Sequence, residues 1–116
     1  MTIKEFYDAI AADYNDAVKR LMNENLVLRF VMKFPADPTM ENLRKAVETG
    51  NIEDSFRAVH TLKGVAGNLA FTKLFEASWN LTEQLRPRAA QADKELYDIL
   101  VAEYDKTLHY IAQLQR

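Results

Sequence analysis

The segment His60-Thr61-Leu62-Lys63-Gly64-Val65-Ala66-Gly67-Asn68-Leu69 puts an imidazole, an ammonium one turn later and two glycines into a single apolar-periodic stretch. At ~100° per residue, a helix through it places His60 about 40° beyond Phe56, at the edge of the apolar stripe, with Lys63, Gly64 and Gly67 on the same flank. An imidazole is largely neutral at pH 7 and can attack phosphorus, while a neighbouring ammonium offers charge to incoming phosphoryl oxygens. Glycine inside a helix costs about 1 kcal/mol relative to alanine, so each one needs a reason. Gly64, one turn past His60, would leave room for a partner's active site. The ordinary reading competes with this one. A single histidine on a helix flank is more often a packing or surface residue, and interior glycines often only let helices approach closely. His109, set among Leu108, Tyr110 and Ile111 with Lys106 as its one nearby cation, takes that ordinary reading and is expected to pack the final helix.

Other chemistries find little support. The chain has two histidines, no cysteine and no HExxH or CxxC pattern, so neither zinc binding nor thiol catalysis is expected. Gly64-Val65-Ala66-Gly67-Asn68 lies inside a helical period, not between a strand and a helix, and so does not form a phosphate loop. Direct use of ATP is therefore not expected. A small-molecule enzyme would need convergent polar groups, and the apolar stripes offer mainly Ser55, Ser78 and Thr82. Fifteen Lys and Arg against seventeen Asp and Glu give a net charge of −2, which supplies no basic field for nucleic acid. Apolar runs such as Leu26-Val27-Leu28 are too short to span a bilayer, and the basic-then-apolar pattern of a secretory signal is missing after Met1. The cytoplasm is the default location.

These side chains must be held by helices. Only three glycines and three prolines occur in 116 residues, 48% of which are hydrophobic and 28% charged, which suits one compact all-α domain over 1–116. Thr2-Ile3-Lys4-Glu5 has the form of a capping box and opens a short helix through about Ile10. Residues 13–34 read as helical with a break near Asn23-Glu24-Asn25, ended by Pro35 and Pro38. Thr39 is expected to cap a helix with Met40, Leu43, Ala46 and Val47 inward, and Gly50 suits the left-handed position after it. Asn51 then caps a helix carrying Ile52, Ser55, Phe56, Val59, Leu62, Ala66 and Leu69 to about Ala70. A further stripe runs Phe71, Leu74, Phe75, Ser78, Leu81, Thr82, Leu85 up to Pro87. The last runs Leu96, Leu100, Tyr104, Leu108, Ile111, Leu114. The expectation is an antiparallel four-helix bundle over 39–116, with the helices of 1–38 covering one end or side.

With these residues in place, His60-Thr61-Leu62-Lys63-Gly64 followed by Gly67-Asn68-Leu69 resembles the signature of histidine-containing phosphotransfer (HPt) domains. Gly50-Asn51-Ile52 before it and Leu74, Leu81 and Arg86 after it extend the resemblance over residues 40–86. The resemblance implies a four-helix carrier that takes a phosphoryl group on His60 from the aspartyl-phosphate of a receiver domain, such as that of a hybrid sensor histidine kinase, and passes it to another response regulator receiver. It implies no cofactor or metal on the carrier, Mg²⁺ being brought by the receiver, and no ATP-dependent activity. Lys63, Gly64, Thr82 and Arg86 match positions that assist the histidine. Two departures stand out. Ala70 occupies a position usually held by glycine, and Thr82 replaces the longer acid or amide that usually bonds the ring Nδ1. Gln84, on the opposite face, cannot stand in, and Glu83 is the next candidate.

Each of these residues also has a plainer reading. Thr82 can bond its own helix carbonyl, and Arg86 can be a solvated helix-end cation. Trp79 reads either as a docking aromatic or, by preference, as a residue of the core periphery, and Leu26, Phe30 and Phe34 are expected to be buried, although the resemblance implies a receiver-docking patch there. The alternative function is an interaction module that keeps the bundle and transfers nothing. The Met1 start, the capping box and the long last helix favour a free-standing protein, expected to be a monomer.

Overall fold

The computed structural model describes residues 1–114, and all regular structure among them is helical. Helix α1 (Ile3–Ala9) opens with the expected capping box: the Thr2 hydroxyl accepts from the Glu5 amide at 3.1 Å, and Glu5 Oε1 accepts from the Thr2 amide at 2.9 Å. Asp13 caps α2 (Tyr14–Leu21) and Asn23 caps α3 (Glu24–Lys33). Between them Met22, at φ +70°, makes the break the sequence anticipated. A 3-10 turn over Phe34–Ala36 carries Pro35 and leads to α4 (Thr39–Glu48).

The cap of α4 departs from expectation. Thr39 is the first helical residue and is buried, and it is the Asp37 carboxylate that accepts from its amide at 2.8 Å. Pro38 explains the shift, because it holds the N-cap position without a capping side chain and leaves the preceding Asp37 to reach over it.

Helices α4, α5 (Ile52–Asn68), α6 (Thr72–Leu85) and α7 (Lys94–Ile111) form the bundle, with the short connections antiparallel neighbours require. Their buried faces are the stripes read from the sequence, including Leu43, Val59, Leu62, Leu74, Leu81 and Leu100. The Arg44 guanidinium bonds Asp105 at 3.4 Å and lies 5.7 Å from the Tyr104 ring centroid, tying α4 to α7.

The ends of α4 and α5 are built alike. After α4, the Asn51 amide reaches Ala46 O and the Gly50 amide reaches Val47 O, with Gly50 at φ +69°; after α5, the Phe71 amide reaches Ala66 O and the Ala70 amide reaches Gly67 O, with Ala70 at φ +57°. Both are Schellman closures needing a left-handed residue, and only the first uses glycine.

Helices α1 to α3 cover the end of the bundle at the α5–α6 turn. There Phe71 has the rings of Phe6, Tyr7 and Phe34 within 5.3 to 6.0 Å, and the Tyr7 hydroxyl donates to Leu69 O at 2.7 Å. No described helix is long and apolar enough to cross a membrane.

Candidate functional site

His60 sits near the middle of α5, on the rim of its buried face, with its side chain exposed. Its imidazole lies parallel to the Phe56 ring one turn earlier, at 9° between planes and 5.7 Å between centroids. Lys63 is half-buried, and its Nζ lies 4.8 Å from the centroid of the Trp79 ring on α6. Trp79 is 48% exposed and leans on Phe75 at 6.0 Å, so it serves as a surface shelf for the ammonium and does not belong to the core periphery.

The two interior glycines differ. A Cβ on Gly67 would stand 3.2 and 3.3 Å from carbons of the Phe75 ring, so Gly67 admits that ring. A Cβ on Gly64 would meet nothing within 4 Å. Gly64 is exposed one turn beyond His60, and no contact within the chain accounts for it.

Thr82 is fully buried, and its hydroxyl donates to Ser78 O at 2.7 Å, back into its own helix. The expected bond to His60 Nδ1 is not formed. The β-branched side chain lies within the stripe that faces the core, where the nearest unsatisfied acceptor is its own i−4 carbonyl. Ser78 Oγ, also buried, has no partner. Gln84 is occupied elsewhere, its amide bonding Gln91 O at 3.0 Å and accepting from the Asp93 amide at 2.9 Å, which staples the α6–α7 connection.

Arg86 ends α6 and is ion-paired with Glu83 at 2.7 Å, its guanidinium 5.5 Å from the Phe56 centroid. The Arg86 hydrogen bond holds the Glu83 carboxyl below the usual carboxylate range, and the nearby Lys63 and His60 add weaker attractions in the same direction. Glu83 thus shares the surface of His60 and Lys63, although no hydrogen bond joins it to the imidazole.

Phe56, Glu53 and Arg88 were missed by sequence reasoning. Phe56 was visible as the residue one turn before His60 but read only as core. Arg88 lies beyond Pro87 in an irregular connection, where no periodicity announces what it touches.

The remaining expected residues scatter. Phe34 is buried, whereas Phe30 is 43% exposed against expectation. It lines a groove of about 350 Å³ with Leu21, Phe34, Val65 and Leu69, flanked by Arg20 and Lys33. Helix α3 packs only one side on the bundle through Val27 and Val31, which leaves Phe30 on the rim. His109 does not pack the last helix. It is exposed, with Nε2 2.9 Å from the Gln113 amide and its ring edge-on to Tyr110. Among the described residues, no group of three or more His, Asp or Glu could hold a metal ion.

A family model for the Hpt domain matches residues 32–115, which takes in α4 to α7 and the whole of the His60 surface. No curated protein and no solved structure matches the chain.

Proposed function

The chain belongs to the Hpt domain family, whose members carry phosphoryl groups in two-component signalling, and from that premise we propose that it is a cytoplasmic, monomeric phosphorelay carrier with His60 as the phosphoryl acceptor. In this reading the receiver of a hybrid sensor histidine kinase presents an aspartyl-phosphate to the exposed flank of α5. The lone pair of His60 Nε2 attacks phosphorus, the P–O bond to the aspartyl carboxyl breaks, and its electron pair leaves with the carboxylate. The phosphoryl group then rests on the imidazole until the carboxylate of a second receiver displaces it in the reverse sense. Mg²⁺ and the acidic residues that bind it come with the receiver.

Lys63, three residues after His60 on α5, can leave Trp79 to meet the phosphoryl oxygens, its charge countering that of the group in transit. Arg86 supplies a second cation once the incoming dianion competes with Glu83 for it. The observation that carries the reading is Gly64. A residue that costs helix stability, has open space where a side chain would stand and lies one turn from an exposed imidazole is explained by a partner that must approach there.

The test is transfer from a panel of phosphorylated receivers, with the acid-labile product mapped. The expected outcome is label on His60 from at least one receiver, none with His60→Gln, and none from ATP and Mg²⁺ alone. Label on His109, or no transfer from any receiver that binds, would favour the non-transferring module.

A further inference from the structure

The imidazole of His60 forms no hydrogen bond among the described residues, and Thr82, at the position the family resemblance assigned to orienting the ring, is turned into its own helix. A histidine ring on a helix flank has a broad preference about its last torsion, so something else must fix where Nε2 points if the chain is to react efficiently. Among the described residues, the aromatic face that lies along the ring is that of Phe56, parallel to it within 9°. Side chains on a helix lean toward its N-terminus, so a residue four positions earlier is placed to receive the ring.

Phe56 is itself unusually held. It is 8% exposed, and the Arg88 guanidinium carbon lies 3.5 Å from its ring centroid. Arg88 is fixed from three sides. Its Nε bonds Glu53 Oε2 at 2.9 Å, its Nη1 bonds Arg86 O at 2.9 Å, and its own amide bonds Leu85 O at 2.9 Å with φ at +53°. A non-glycine residue in the left-handed region is costly and persists only where its surroundings determine it. Glu53 stands on α5 one turn before Phe56, so the connection after α6 is clamped back onto the helix that carries the histidine.

We infer that Phe56 is a positioning residue for His60, its ring face setting the imidazole plane for phosphoryl transfer, and that Arg88, held by Glu53, acts through Phe56. This rests on the carrier reading above.

The test uses the whole chain and two readouts. The first is the chemical shifts of the His60 ring protons, which need no partner. Phe56 should shift them by its ring current in the wild type, and the shift should vanish in Phe56→Leu and persist in Phe56→Tyr. The second is the rate of His60 phosphorylation by phosphoramidate, in which the Nε2–P bond forms as the P–N bond to departing ammonia breaks. Phe56→Leu should slow it about three- to tenfold, Phe56→Tyr should restore it to within about twofold, and Arg88→Gln should slow it by less than Phe56→Leu.

An undisplaced His60 in the wild type overturns the inference, as do equal rates in Phe56→Leu and wild type or equal losses in Phe56→Leu and Phe56→Tyr. If Phe56→Leu does not fold, the wild-type shifts and the surface variant Arg88→Gln decide. A reactive wild type with indifferent variants sinks this inference alone. A wild type that accepts phosphate from neither phosphoramidate nor any receiver sinks the carrier reading with it.

Discussion

Gly64 and Gly67 stand three residues apart on one helix, carry the same propensity cost and have opposite surroundings, which makes them a matched pair for separating function from packing. Replacing Gly64 removes that cost and adds no contact, so Gly64→Ala should stabilise the chain by about 1 kcal/mol and raise Tm by several degrees. Gly64→Gln should keep most of that gain while obstructing receiver approach, lowering transfer by tenfold or more with unfolding at or above the wild-type midpoint. Gly67→Ala should gain little or lose stability, because the Phe75 ring must shift by a few tenths of an ångström to admit the methyl group. Normal transfer by Gly64→Gln would show that nothing approaches that surface. The Thr82 hydroxyl is the contrasting case. With its proton committed to Ser78 O and no bond to the histidine, Thr82→Val should transfer at close to the wild-type rate. A marked slowing at unchanged stability would restore it as the group that orients the ring.

Among the helices, what was legible in the sequence was what repeats or punctuates. The stripes of α5, α6 and α7, the capping box of Thr2 and Glu5, the break at Asn23 and the turn at Gly50 all rest on local spacing or on one residue's backbone preference, and the structure has them. Periodicity places a residue on a face but does not say how far a neighbouring helix covers that face. Phe30, expected to be buried, and Trp79, expected at the core periphery, both lie half-exposed. The α6–α7 connection was illegible because its order comes from side chains far apart in sequence, Arg88 with Glu53 and Gln84 with Gln91. The closure after α5 lies between these cases. Ala70 stands where the resemblance expects glycine, and its φ is +57° in a closure that Gly50 makes without strain after α4. Ala70→Gly should therefore stabilise the chain by roughly 0.5–1 kcal/mol despite the greater freedom it gives the unfolded state. Thermal unfolding checks this, and a lower midpoint would mean that the methyl group's burial beside Phe71 outweighs the strain.

Across the whole molecule, the covering helices are joined to the bundle chiefly by one aromatic cluster and one buried hydrogen bond, and the same residue serves both. Tyr7 packs on Phe6, Tyr14 and Phe71 and donates to Leu69 O at 2.7 Å. Burial raises the pKa of its phenol well above the ordinary 10.0, with the neighbouring Tyr14 adding to the effect. A group whose folded pKa lies above its unfolded value contributes stability fully present below the unfolded value and lost as pH rises toward the folded one. The chain should therefore begin to lose stability above about pH 10, when the unfolded chain can release a proton that the folded chain retains. Acid acts oppositely and more weakly. Arg88 lowers Glu53, Arg86 lowers Glu83 and Thr2 lowers Glu5, so their contribution is present above the ordinary 4.5 and fades as pH falls below it, in pairs too exposed to matter greatly. Tyr7→Phe separates the two roles of the hydroxyl. At pH 7 it should cost about 1–3 kcal/mol, because Leu69 O loses its partner inside the structure. Between pH 10 and 11.5 that difference should shrink, because the variant no longer carries the proton linkage, with the burial-raised Tyr97 and Tyr104 leaving a shallower alkaline slope. Denaturant unfolding of both chains at pH 7, 10 and 11 measures this. A difference that stays constant across the three values would show that Tyr7 titrates alike in the folded and unfolded chain, and that its hydroxyl contributes the hydrogen bond alone.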